Sequence, residues 1–363
     1  MCLIEKTEIS SWTLENSKAS AVDLSSVISI DAMGGDHGPK VTVPAAVMAV
    51  EENPDLQLIL VGDENELARC LESVPDALKS RLTIKHASQR VEMDDEPAKV
   101  LRNKKDSSMR VSINLVRDGE AGACVSAGNT GALMATARFV LKMIPGIDRP
   151  AIITTLPAIK GHTYALDLGA NIDSSAKHLF QFAVMADELV KAVEGIESPR
   201  IGLLNVGSEE IKGNDQVKKA FKLLKEGNFN FIGYVEGDDI STGDVDIVVT
   251  DGFVGNIALK SIEGFAKLII HEIKQAFGRN LLTKLAALMA VPAMKAFKNR
   301  VDPGRYNGAN LIGLRGIVIK SHGSAKAESF ANAIRTAKTE VDHDVIEKIS
   351  GRVEQIFAER KTG

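Results

Sequence analysis

Polar, glycine-rich segments recur along this chain, and their residue types are those that hold anions. Asp31-Ala32-Met33-Gly34-Gly35-Asp36-His37-Gly38 is the first, followed by Ser126-Ala127-Gly128-Asn129-Thr130-Gly131 and Gly169-Ala170-Asn171-Ile172-Asp173. Asn205-Val206-Gly207-Ser208-Glu209-Glu210, Asp251-Gly252-Phe253-Val254-Gly255-Asn256 and Ser321-His322-Gly323-Ser324 complete the set. Glycine lets backbone N–H groups approach an anion closely, and a helix starting in such a loop adds a favourable partial charge. Turns and caps need the same residues for structural reasons, so one loop alone carries little and the recurrence is what points to a site. Lys104-Lys105-Asp106-Ser107-Ser108 is more pointed, because two ammonium groups and two hydroxyls precede a helix. That composition suits phosphate, and equally a solvated basic loop with a serine cap.

Other chemistries find little support. Cys124 lies between Ala123 and Val125 in an apolar stretch, the place of a small buried hydrophobe rather than a nucleophile. His37, His162 and His322 end or flank apolar runs, where a lone histidine is usually a loop residue. No HExxH and no clustered Cys/His spacing occurs, so neither a metal nor a cofactor is expected. No GxGxxG follows a strand, which argues against a metal- and nucleotide-dependent dehydrogenase.

Apolar runs predict strands over 27–31, 56–61, 81–85, 121–126, 151–156, 164–168, 200–206, 229–235, 245–249 and 316–320. Helical spacing predicts helices over 64–71, 107–117, 129–141, 174–193, 215–225 and 252–277. Runs such as 201–204 and 247–249 are continuously apolar, as in strands buried on both faces of a parallel sheet. The alternation predicts a doubly wound α/β sandwich, in which ligands sit beyond the carboxyl ends of the strands. All six loops are therefore expected on one edge.

The expected organisation is a weakly ordered extension over 1–26, an α/β catalytic domain over 27–345, and a C-terminal helix and tail over 346–363. A helical excursion at about 280–310 interrupts the domain. There Leu281, Leu282, Leu285, Leu288 and Met289 share one arc of a helical wheel, away from Lys284, Lys295 and Lys298. Pro292 is expected to break the segment into two short helices. The segment is too short and too charged to span a bilayer, so the expectation is a surface helix, apolar side down on a membrane or packed on a dimer partner.

The whole chain limits the alternatives. Its 363 residues are 44% hydrophobic, enough for a sizeable core. A formal net charge of −4 gives no sign of nucleic-acid binding. Three widely spaced cysteines, Cys2, Cys70 and Cys124, form no disulfide framework and suit a reducing compartment. Residues 1–26, with Glu5, Glu8, Glu15 and Asp23, lack the apolar core of a signal peptide, and a cytoplasmic protein is expected.

Taken in order, the loops resemble the acyl-acyl-carrier-protein:phosphate acyltransferases (PlsX) of bacterial phospholipid synthesis. The stretches that carry the resemblance are Asp31–Asp36, Glu96-Pro97 through Lys104–Met109, Val125–Ala132, Asp167–Asn171, Asn205–Glu210 with Lys212-Gly213-Asn214, Thr250–Asn256, and Gly313–Gly316 through Ser321–Ser324. They cover nearly all of 27–340, and residues 1–26 precede the family's usual start. The resemblance implies a three-layer α/β/α sandwich, Rossmann-like, of the isocitrate dehydrogenase or phosphotransacetylase type. It implies a homodimer and transfer of a fatty acyl group from acyl carrier protein to inorganic phosphate. The acyl phosphate would pass to a membrane glycerol-phosphate acyltransferase, so the protein would touch the membrane peripherally. A phosphotransacetylase-like enzyme using acyl-coenzyme A is the alternative, and a non-catalytic scaffold for lipid enzymes is a further one.

That reaction assigns roles to residues. Phosphate is already a nucleophile near neutral pH, so the enzyme has to hold it against the thioester carbonyl, stabilise the oxyanion and exclude water. Asn129, Asn171, Asn205 and Asn256 are the candidate oxyanion donors, with His322 as proton donor to the leaving thiolate. Lys104, Lys105, Ser107 and Ser108 are candidates for phosphate, with Lys212 and Lys260 in support. Asp31, Asp36, Asp167 and Asp251 would orient cations or donors, while Gly34, Gly35, Ser126, Gly128 and Thr130 line the substrate.

Overall fold

The computed structural model describes residues 27–301 and 303–362; the expected extension over 1–26 lies outside the described residues. Eleven strands form one sheet in the order β3-β2-β1-β4-β11-β10-β5-β6-β9-β7-β8. They are β1 (Val27–Asp31), β2 (Gln57–Gly62), β3 (Leu82–His86), β4 (Ala123–Ser126), β5 (Ala151–Pro157), β6 (His162–Leu166), β7 (Ile201–Leu204), β8 (Phe231–Val235), β9 (Ile247–Val249), β10 (Ala309–Ile312) and β11 (Ile317–Lys320). Helices α1 (Pro39–Glu52), α2 (Glu64–Leu71), α3 (Asp76–Lys79), α4 (Pro97–Asn103), α5 (Ser108–Arg117) and α6 (Thr130–Leu141) follow the first strands. Helices α7 (Ala176–Glu194), α8 (Asp215–Lys225), α9 (Gly252–Gly278), α10 (Leu281–Val301), α11 (Ala327–Asp342) and α12 (Val345–Thr362) complete the chain.

The expected three layers are present, and the strands show why. In β4, Ala123 and Val125 pack with α1, α2 and α11, whereas Cys124 faces Ile113 of α5 and Leu133 of α6. In β9, Ile247 and Val249 pack with α7 and α8, and Val248 joins Cys124 in the opposite core. A strand buried on both faces has no polar side, which produces the continuous apolar runs of the sequence. On the second face, Ala258, Leu259 and Ile262 of α9 complete the layer begun by α4, α5 and α6.

One expectation is corrected here. β3, β2, β1, β4 and β11 are mutually parallel, as are β6, β9, β7 and β8. Between the blocks, β10 is antiparallel to both β11 and β5, and β5 is antiparallel to β6. Three reversals turn the second block against the first, so the carboxyl ends lie on two opposite edges. The loops at 31–38, 126–131 and 321–324 share one edge; those at 169–173, 205–210 and 251–256 share the other.

Pro292 does not break its helix, because α10 runs unbroken from Leu281 to Val301. Proline removes one N–H, and in so exposed a stretch solvent can serve the carbonyl left without a donor. Helix α10 packs on α9 and stands largely outside the layers. Leu281, Leu282, Leu285, Leu288 and Met289 are between 61% and 84% exposed.

Candidate active site

The first edge is knit around a buried carboxylate. Asp31 ends β1, fully enclosed, and accepts hydrogen bonds from Ser108 Oγ and Ser126 Oγ, both at 2.6 Å. Ser126 Oγ in turn accepts from the Gly128 amide at 3.1 Å. Glycine is required here because a Cβ on Gly34 would lie 2.6 Å from Asp31 Oδ2 and 2.9 Å from the Gly128 nitrogen. Gly35, at φ 83°, leaves no room for a side chain beside Ala127 and the Gly323 carbonyl. The Asp36 amide donates to that carbonyl at 2.9 Å, closing the loops after β1, β4 and β11 on one another. Asp36 itself is exposed at the rim.

Lys320, the last residue of β11, points into this knot. Its Nζ donates to the Ala127 carbonyl at 3.4 Å and to the Ser321 carbonyl. Burial pushes its ammonium down to about 8, and Lys260 adds to the shift against the opposing pull of Asp31 and Asp36. Burial likewise raises the Asp31 carboxyl above its ordinary value, opposed by the hydrogen bonds from Ser108 and Ser126 and by Arg90. Sequence reasoning missed Lys320 because it closes a strand rather than sitting in a loop.

His322 is fixed from two sides. Its amide donates to Asn307 Oδ1 at 2.8 Å, and its Nδ1 lies 3.0 Å from Ser324 Oγ and accepts from the Ser324 amide at 3.3 Å. An accepting Nδ1 places the proton of the neutral ring on Nε2. Burial lowers the His322 imidazole below its ordinary value, with Lys260, Lys320 and Lys267 acting the same way and Glu263 against. A neutral N–H donor therefore fits His322 better than an imidazolium acid.

The 104–108 segment is largely satisfied within the protein. Lys104 Nζ reaches Asp95 Oδ2 at 2.5 Å and the Arg90 carbonyl at 2.8 Å, a clip that holds the 90–95 loop. Ser107 caps α5 and Ser108 serves Asp31. Lys105 is exposed and forms no ion pair among the described residues. Asn129 is likewise occupied, its Oδ1 capping α6 and its Nδ2 donating to the Met93 and Asp95 carbonyls. The Thr130 and Gly131 amides at the start of α6 find no acceptor among the described residues, so donors remain beside the glycine loops.

The second edge binds itself. Asp167 accepts from the amides of Ile152, Gly169, Ala170 and Asn171 and from Asn171 Nδ2, at 2.8–3.2 Å. Asn171 Nδ2 also donates to the Pro150 carbonyl. Asp251 caps α9 through the Phe253 and Val254 amides. Asn205 donates to the Gly207 carbonyl, and Lys212 faces Glu209 at 3.9 Å. Asn256 lies against Gly169. These residues hold loops and caps, and the sheet reversal separates most of them from Asp31.

Helix α9 links the edges. It starts at Gly252 on the second edge and crosses the sheet face, bringing Lys260 to where its charge is felt by Lys320 and His322. Lys260 is half exposed and pairs with Glu263 at 3.0 Å. Asn256 is one turn earlier, about 6 Å along the axis. Asp31, Gly34, Gly35, Asp36, Ser108, Ser126, Gly128, Thr130, Lys260 and His322 thus gather at one place, joined by Lys320.

The fold is one also found in solved phosphotransacetylases. The fold matches a phosphotransacetylase from Streptococcus pyogenes with TM-score 0.59 and 20% identity, covering 87% of this chain and 94% of that one. A phosphotransacetylase from Staphylococcus aureus matches with TM-score 0.57 and 16% identity, over 87% and 94% of the two chains.

Sequence relatives carry the assignment further. The fatty acid synthesis protein family matches residues 26–348. A phosphate acyltransferase of Methylococcus capsulatus is 62% identical over 92% of this chain and 98% of its own length. One from Nitrosococcus oceani is 55% identical over 93% and 99%. The chain belongs to the fatty acid synthesis protein family, and to the acyltransferases within it.

Proposed function

We propose that this enzyme transfers a fatty acyl group from an acyl-carrier-protein thioester to inorganic phosphate, yielding acyl phosphate. The observation that carries the reading is the meeting of three glycine-bearing loops beside the part-buried Lys320, next to unpaired amides at the start of α6. Backbone donors and ammonium groups from Lys320 and Lys260 suit a phosphate dianion. A phosphate oxygen attacks the thioester carbonyl carbon, the C–S bond breaks, and the thiolate takes a proton from solvent or phosphate. The Nε2–H of His322 and the Thr130 amide are the donors for the developing oxyanion. No covalent enzyme intermediate is needed, and burial holds the Cys124 thiol well above its ordinary value, which suits a packing role. Thiol release that depends on added phosphate supports the reading; equal release without phosphate sinks it.

The product is a labile anhydride with a fatty tail, so its consumer is best placed at a membrane, in keeping with a membrane glycerol-phosphate acyltransferase. We assign the apolar side of α10 to that surface, within a homodimer. No helix among the described residues is long and apolar enough to cross a bilayer. Burying a leucine is worth roughly 1.5–3 kcal/mol, so replacing Leu285 and Leu288 together by Glu should weaken binding to anionic vesicles about 100-fold or more. Soluble turnover should remain. A double variant that sediments with vesicles like the wild type removes α10 as the anchor, and one that dissociates to monomers makes it a subunit contact.

A further inference from the structure

An exposed aromatic ring set between cations marks a second surface. Phe139, in the last turn of α6, is 51% exposed. The Arg110 guanidinium carbon stands 5.0 Å from its ring centroid and Lys142 Nζ stands 4.8 Å from it. Arg117 lies near enough to repel Arg110, and Arg315 is docked alongside, its Nε donating to the Met143 carbonyl at 3.0 Å. Arg138 is exposed beside Phe139. Asp118, the acid beside Arg117, is already held by it through two hydrogen bonds. Among the described residues, Arg110, Arg138, Lys142 and Arg315 form no ion pair.

Gathering like charges around solvent-exposed apolar area does not serve an isolated chain. Desolvated aromatics and arginines are the residues that dominate binding energy at interfaces, and a ring of one sign steers an oppositely charged partner. The position matters too. Helix α6 begins at the Thr130 amide of the candidate site, and Phe139 lies nine residues on, about 14 Å along the axis. A partner docked here could pass a flexible thioester arm up the helix to the site.

We propose that Phe139 and the cations around it form the docking face for an acidic carrier protein, whose carboxylates meet Arg110, Arg138 and Lys142 while an apolar side chain covers the ring. This rests on the reading of the enzyme as one that takes its acyl group from a carrier protein. The test uses the full chain with Arg138→Glu and Lys142→Glu together, and separately Phe139→Ala. Binding of acyl carrier protein is followed by fluorescence anisotropy at two salt concentrations. Turnover is followed with acyl-carrier protein and with a carrier-free acyl-pantetheine thioester.

The charge-reversed variant should bind the carrier at least about tenfold more weakly and lose most of the salt dependence. Phe139→Ala should weaken binding by about tenfold with the salt dependence kept. Turnover of acyl-pantetheine and the phosphate requirement should stay within about twofold of wild type, which also shows that the variants fold. Carrier affinity equal to wild type in both variants overturns the proposal. So does unchanged carrier affinity with lost binding to anionic vesicles, which would give the face to a membrane. Binding is read without turnover, so a wild type that makes no acyl phosphate contradicts the functional reading while the titration still decides the docking face.

Discussion

Replacing Lys320 with Met is expected to lower kcat/KM for phosphate about 10²–10³-fold, the usual cost of removing one preorganised charge-stabilising donor. The residue is a part-buried cation that donates to the Ala127 and Ser321 carbonyls, in the loops after β4 and β11. Its burial makes the argument stronger. An ammonium lowered to about 8 is disfavoured in the folded state relative to the unfolded chain. Below that pH the charge costs the fold stability, and the cost fades as pH rises toward the unfolded lysine's value. A residue that works against stability at neutral pH is kept for another purpose. Wild-type kcat/KM for phosphate should therefore fall as pH rises through about 8, as the ammonium is lost. Initial rates against phosphate concentration from pH 6.5 to 9.5, with a cooperative melt to confirm folding, check both effects. A Met variant with unchanged phosphate dependence would remove Lys320 from the site.

Gly255→Ala carries the second large effect, on stability. A Cβ there would lie 2.0 Å from the Asp167 carbonyl oxygen, and Gly252, three residues earlier, is similarly crowded by the Asn171 carbonyl at 2.3 Å. The obstacle is backbone, and the loop that carries it is tied down by the five hydrogen bonds converging on the Asp167 carboxylate. Helix α9 would have to tilt away from the sheet, exposing Ala258, Leu259 and Ile262 and moving Lys260 off Lys320. The expected loss is about 3–5 kcal/mol, a fall in Tm of about 10 °C, with turnover lost in parallel. Thermal melts followed by circular dichroism decide it; a Tm within about 1 °C of wild type would mean that α9 is not clamped at this point.

Residues whose surroundings are local were legible in the sequence. Runs such as those of β7 and β9 read as strands because burial on both faces leaves no polar position. Ser107, read both as a phosphate ligand and as a helix cap, caps α5. Helix α1 had no counterpart among the expected elements, since Pro39 and Pro44 look like breaks; Pro39 sits in the first turn, where no N–H is missed.

Strand direction was the larger loss. Nothing within a strand reports which way it runs, but the links did. Residues 158–161 join β5 to β6 and residues 313–316 join β10 to β11, each far too short for a parallel crossover. Gly161 and Gly313, both at positive φ, suit such reversals. Those links report two of the three reversals; the third, β10 against β5, pairs strands about 150 positions apart and no short link reveals it, so the division into two edges was not legible. Lys320 was beyond reach for a different reason. Its Nζ is held against the Ala127 carbonyl in the loop after β4, a contact between residues nearly two hundred positions apart.

The most direct measurement follows the oxygen atoms of phosphate. Acyl-carrier protein is incubated with the enzyme and phosphate labelled with ¹⁸O at every oxygen, and the product is analysed by mass spectrometry alongside thiol release. Direct attack forms a bond between a phosphate oxygen and the acyl carbon and breaks no bond to phosphorus. Acyl phosphate should therefore carry every label, in step with thiol release, and both should stop when phosphate is withheld. Thiol release that continues without phosphate, or an acyl-enzyme that forms and decays at the turnover rate, would contradict direct attack of phosphate on the thioester.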